Sequence, residues 1–158
     1  MDDTTLTALM EQEHHEVDRA IERFVEGLRQ REVRHKDLDH AADLLKRHIY
    51  IEEALMFPPL RASGLLAPIM VMEREHGEIW RTLDAVHLEV GPGTAADSVP
   101  DRCQQLLKQL DVHNQKEEPI IYPKVDELLD DSVKGSIREF IRSGTMPSGW
   151  VCAQAPKG

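Results

Sequence analysis

The chain is poor in the residues that staple small secreted folds. Its two cysteines, Cys103 and Cys152, lie far apart with no Cys-x-x-Cys pair. That excludes a disulfide framework and a thiolate-rich zinc site, and free thiols in a reducing compartment are expected. Positive charge is also short, with 19 basic against 29 acidic residues and a formal charge of −10. No Lys/Arg run or aromatic–basic interleaving offsets it, so neither nucleic acid nor an anionic membrane is an expected partner. The longest apolar stretch, around Leu65 to Met72, is far too short to span a bilayer. The opening Met-Asp-Asp-Thr-Thr lacks a basic segment followed by an apolar one, so no secretory signal is read and the cytoplasm is the expected location. With 158 residues, one domain with a sizeable core is expected.

What the chain does have, it writes twice. His48-Ile-Tyr-Ile-Glu52-Glu53-Ala-Leu-Met-Phe57-Pro58 and His113-Asn-Gln-Lys-Glu117-Glu118-Pro-Ile-Ile-Tyr122-Pro123 share the pattern H-x-x-x-E-E-x-x-x-(aromatic)-P. On a helix, residues four apart stack on one face, so each copy aims an imidazole and a carboxylate at the same neighbour. A fainter repeat precedes each copy: Glu11 to Val17 and Glu73 to Ile79 both read E-x-E-H-x-E-(Val/Ile). The chain therefore reads as a duplicated pair of helices. Four helices each bring one histidine, and the second of each pair adds a glutamate.

Periodicity supports the same elements. From about 4 to 31, Leu6, Met10, His14, Val17, Ile21, Phe24 and Leu28 form a bundle-facing stripe that contains His14. His15 is about 100° away and reads as solvated. Asp37 is a candidate cap for a second helix that carries His48 and Glu52 inward and is expected to stop at Pro58-Pro59. His35 reads as a loop residue. A third helix, about Pro68 to Val90, holds His76 in its stripe, with His87 as a structural residue further along. Ser98, three residues before Asp101, marks the start of a fourth helix carrying His113 and Glu117. Cys103 reads as a small core residue on that helix, and Pro119 is expected to kink or tighten the turn. Ser132 is a candidate cap for a short C-terminal helix reaching about Arg142. Residues 1–143 thus form the expected all-α, up-down-up-down four-helix bundle, and 144–158 an irregular tail that Trp150 could anchor.

The inward polar set is His14, His48, His76, His113, Glu52 and Glu117. It is too large for one tetrahedral zinc and contains no sulfur, but suits two metals that share the carboxylates. Burying these groups at one depth without compensation would be costly. Glu53, Glu118 and Glu75 are candidates to accept hydrogen bonds that orient the imidazoles. A rival arrangement uses Glu11-x-x-His14 and Glu73-x-x-His76 in the manner of ferritin-like iron proteins, but leaves His48 and His113 without a role.

These motifs, with His14 and the Glu75-His76 pair, resemble the hemerythrin-like (HHE cation-binding) family over roughly residues 5 to 142. The resemblance implies a non-haem centre of two iron ions with an oxo or hydroxo bridge, four terminal histidines, and Glu52 and Glu117 bridging. It implies a small-molecule ligand such as oxygen, nitric oxide or hydrogen peroxide, together with an electron donor. Oxygen-carrying hemerythrins add a fifth histidine four residues from the one on the third helix, where this chain has Met72 and Trp80. The four-histidine set is similar to proteins implicated in iron-centre repair under nitrosative or oxidative stress. Reversible oxygen carriage or sensing, and iron storage of the ferritin-like kind, are the alternatives.

Overall fold

The computed structural model describes residues 4–156; positions 1–3 and 157–158, the outer ends of the two expected spans, lie outside the described residues. The fold is all-helical: α1 (Leu6–Arg29), α2 (His35–Tyr50), α3 (Phe57–Ala62), α4 (Ala67–Leu88), α5 (Val99–Lys116), α6 (Tyr122–Leu128) and α7 (Asp131–Ser143). A π turn, Ile51–Met56, joins α2 to α3, and a second, Glu117–Ile121, joins α5 to α6. Four rods result, α1, α2 with α3, α4, and α5 with α6, running up-down-up-down. The short α7 packs against α1 and the first π turn. No strand forms among the described residues, and a single Val90–Ala95 bridge closes the α4–α5 loop.

The π turns explain why the second rod does not stop at its prolines. In an α-helix Pro58 would have no N–H for Ala54, and its ring would press on that carbonyl. A turn one residue wider removes the conflict. Its closing bond runs from the Phe57 N–H to the Glu52 carbonyl, and the second from the Tyr122 N–H to the Glu117 carbonyl. The rod therefore continues to Ala62, and the turn at Pro119 is widened rather than tightened. An α-helix would carry the fifth residue after each glutamate about 140° around the axis. The extra residue swings Phe57 and Tyr122 back to the glutamate's side.

Local starts differ from the sequence expectation in three places. Arg34 occupies the cap position of α2, so His35 opens the helix and bonds the Pro92 carbonyl at 3.0 Å, while Asp37 pairs with Arg23 at 3.1 Å. Ser98 sits at the α5 cap position, but its hydroxyl donates to Glu89, which also receives Arg102. The cap of α7 is Asp130, two residues before Ser132, accepting the Val133 N–H at 2.9 Å. Between α3 and α4 the chain turns at Gly64, whose φ of 95° suits a residue without a Cβ.

The core has two apolar layers. One contains Val17, Phe24, Leu45, Leu83 and Leu106; the other contains Leu6, Met10, Met56, Phe57 and Val125. Each inward histidine lies between a residue of one layer and a residue of the other, as His14 does between Met10 and Val17. The polar set is thus held in a belt between two dry layers.

Candidate metal centre

All six expected residues meet in that belt. Glu52 and Glu117 have no exposed surface, and His14, His48, His76 and His113 are 7, 3, 1 and 3 % exposed. They divide into two groups, His14, His48, Glu52 and Glu117, and His76, His113, Glu52 and Glu117. Within each group the ligand atoms lie within 4.8 Å of one another, and both glutamates belong to both groups. Nε2 of His14 is 3.2 Å from Glu117, that of His48 is 3.3 Å from Glu52, that of His76 is 3.1 Å from Glu52 and that of His113 is 3.3 Å from Glu117. The Nε2 face of every imidazole is therefore turned inward.

The other ring nitrogen of each histidine points outward to a carboxylate. Nδ1 of His14 meets Glu118 at 2.7 Å, and that of His76 meets Glu53 at 2.6 Å. Nδ1 of His48 meets Glu13 at 2.9 Å, and that of His113 meets Glu75 at 3.0 Å. A carboxylate accepting the Nδ1 proton fixes the tautomer that leaves Nε2 free for a cation, and it strengthens the imidazole as a ligand. Three of these acceptors are among the sequence candidates. Glu13 is not, although it occupies the same place in the first E-x-E-H repeat that Glu75 occupies in the second. That signal could have found it.

The aromatics of the repeated motif also close on the histidines. Phe57 stacks on His76 with ring centroids 5.9 Å apart, and Tyr122 on His14 at 5.7 Å. Only Tyr122 carries a hydroxyl. It donates to Glu52 at 2.9 Å and lies 3.2 and 3.4 Å from Nε2 of His14 and His48. In the repeated motif this position is marked only as aromatic, and nothing in the spacing singles out the hydroxyl.

Electrostatically the belt is a set of mutually compensating charges. Burial lowers the proton affinity of His76, but Glu52 and Glu53 outweigh it and raise its pKa to about 10. Burial likewise opposes His48 and His113, yet their carboxylate neighbours leave both raised. Burial and Glu117 push Glu52 up, and its histidines more than offset this, so it ends below the usual carboxylate range. Glu117 lies well below that range for the same reason, while burial and the two glutamates push Tyr122 far up and keep it a neutral phenol.

The donor set fits a metal pair on the structure's own terms. Glu52 Oε1, both carboxylate oxygens of Glu117 and His76 Nε2 are buried without a hydrogen-bond partner. Buried polar atoms are normally satisfied, so four that converge at one place suit a shared electrophile. A cavity of about 10 Å³ adjoins them, lined on its apolar side by Leu45, Ile49, Ile79 and Leu110.

The other candidates are placed elsewhere. His15 is exposed. Nδ1 of His87 lies 3.3 Å from the Leu83 carbonyl. Glu73 pairs with Arg61 at 3.3 Å, and neither it nor Glu11 joins a ligand group among the described residues. The ferritin-like set is therefore not the one assembled. Met72 and Trp80, which stand where a fifth histidine would be, are buried in the two apolar layers. Cys103 is a core residue, 1 % exposed, and Cys152 is buried as well; both are free thiols.

A four-helix bundle with a histidine–carboxylate belt of this kind defines a metal-binding helical protein. The family model of the hemerythrin HHE cation binding domain matches residues 5–125, and the chain belongs to that family. Comparisons with curated proteins and with solved structures gave no match. No helix among the described residues is long and apolar enough to cross a membrane.

Proposed function

We propose that this is a non-haem di-iron protein that binds or reacts with a small diatomic or peroxide ligand, in the cytoplasm, as part of a stress response or iron-centre repair. The observation that carries it is the pair of four-residue groups sharing Glu52 and Glu117. His14 and His48 would hold one iron, His76 and His113 the other, and the two glutamates would bridge them, with an oxo or hydroxo bridge completing the centre. Iron so held supplies one-electron chemistry and open coordination positions for oxygen, nitric oxide or hydrogen peroxide.

The chain's own residues do the rest. Glu13, Glu53, Glu75 and Glu118 hold the Nδ1 protons and keep the imidazoles aimed. Leu45, Ile49, Ile79 and Leu110 keep water from the small space beside the centre, and on the other side of the belt the Tyr122 phenol donates its proton to Glu52. An electron donor would be required for turnover. Reversible oxygen carriage is the second reading, favoured by the same apolar lining, which shields a bound molecule from protons.

The test is metal content after anaerobic reconstitution with ferrous iron. About two irons per chain are expected in the wild type, and Glu52→Ala or Glu117→Ala should each abolish two-metal binding. Near-normal iron in either variant would overturn the bridging role. After oxygen is admitted, a coloured form that reverts on degassing supports carriage, and irreversible oxidation supports reaction.

A further inference from the structure

Residues 149–155 carry no helical pattern, yet they pack behind His76 and bond its outer carboxylate partner. Trp150 packs edge-on against Tyr50 at 5.1 Å and Trp80 at 5.8 Å. Cys152 follows, 1 % exposed and part of the core layer. The Ala153 N–H then donates to Glu53 Oε1 at 3.0 Å, and the Gln154 carbonyl accepts from Arg81 at 2.7 Å. Gly77, next to His76 on α4, leaves the room: a Cβ there would stand 2.6 Å from Gln154 Cβ and 2.8 Å from its carbonyl oxygen.

Glu53 differs from the other three outer acceptors in how its charge is met. Glu13 has Arg47 at 3.9 Å, Glu75 has Lys116, and the Glu118 side chain is 33 % exposed to water. Glu53 has neither: its side chain is 4 % exposed and no Lys or Arg among the described residues pairs with it. A buried carboxylate needs its oxygens satisfied. Here His76 serves one and the Ala153 amide the other.

We propose that residues 149–155 form a strap that positions Glu53, and through it His76, so that the metal position made by His76, His113, Glu52 and Glu117 depends on a segment the helical motifs do not include. Ala153, Gln154 and Gly77 are then positioning residues for one metal and not for the other. This rests on the two-metal reading above.

The experiment is anaerobic Co²⁺ titration, followed by visible absorption, of the full chain, of Gly77→Ala/Arg81→Ala, and of a chain stopped after Ser148. The double variant touches no histidine or carboxylate, and alanine in place of glycine favours the helix. Tryptophan emission reports whether the strap has left, because both of the chain's tryptophans lie at its seat. One of the two Co²⁺ affinities should fall about 10- to 100-fold, the usual effect of losing an imidazole's outer partner, while the other changes less than about twofold. The loss should persist in a His14→Ala background and vanish in a His113→Ala background. Two unchanged affinities with shifted emission, equal loss of both, or emission that the double variant leaves unshifted would each overturn the proposal. A wild type that binds no Co²⁺ would instead sink the two-metal reading itself.

Discussion

Replacing Tyr122 with phenylalanine removes one oxygen and makes the second copy of the motif match the first at its aromatic position. The ring stays, so its stacking on His14 should survive. What goes is the donor to Glu52 Oε2, at 2.9 Å in a site with no exposed surface. Leaving a buried acceptor without its partner costs about 1–3 kcal/mol. His48 still lies 3.3 Å from that oxygen, so the lower half of the range applies, about 1–2 kcal/mol. For a chain of this size that is a fall of about 2–8 °C in the Tm of the metal-free protein. In the loaded protein both Glu52 oxygens would face metal, so the missing donor matters less. By linkage, metal should then bind about 5- to 30-fold more tightly to Tyr122→Phe than to the wild type. Thermal unfolding in chelator, beside competitive titration with Co²⁺, measures both halves. Weaker binding by the variant would refute this, because the hydroxyl would then be serving the loaded site rather than satisfying the empty one.

His15→Ala should leave metal stoichiometry unchanged, since the side chain is exposed and outside both ligand groups; loss of an ion by metal analysis would make His15, rather than His14, the ligand of the pair. Asp18 supplies a pH test. Burial, then Glu22, raises its pKa to about 6, and its Oδ1 is buried without a partner. A carboxyl raised in the folded state binds more protons there than when unfolded, so this residue's contribution to stability declines as pH rises from about 4 to about 6. The group is only about half buried, and screening reduces the cost above that window to about 1 kcal/mol. Asp18→Asn should therefore raise Tm by a few degrees at pH 7.5 and by nothing at pH 3.5, as measured by calorimetry of both proteins across that range.

The bundle and the six inward residues were legible because they rest on spacing. Imidazole and carboxylate four apart on a helix share a face whatever surrounds them, and the stripe around His14 assigns that face. The outer carboxylates were half legible. Glu53 and Glu118 follow the inward glutamates directly and Glu75 precedes His76; Glu13 precedes His14 in the same way, as the first E-x-E-H repeat laid over the second makes plain. The π turns were not legible, because proline in a sequence signals a helix stop while a helix can absorb it by widening one turn. Capping failed where a competing partner won: Asp37 is taken by Arg23 and the Ser98 hydroxyl by Glu89. The tail was least legible of all, since the contacts of Trp150, Ala153 and Gln154 are long-range and leave no period in the sequence.

Duplication thus supplies two like sets of inward histidines and carboxylates and then departs from identity on both sides of them. His14 stacks on a phenol and hands its Nδ1 proton to a carboxylate that is one-third exposed; His76 stacks on Phe57 and hands its own to one that is 4 % exposed and sealed by a backbone amide. A charge placed at the first position can be answered by water at Glu118 and by the Tyr122 proton, whereas on the His76 side of the second it meets Phe57 and a fixed backbone dipole. Electrostatic interactions are stronger in the drier environment and reorganise less. Two ions held by the same donors would therefore differ in affinity and potential, and the origin of that difference lies in the Tyr122 hydroxyl, the exposure of Glu118 and the strap's seal on Glu53 rather than in the residues the two copies share.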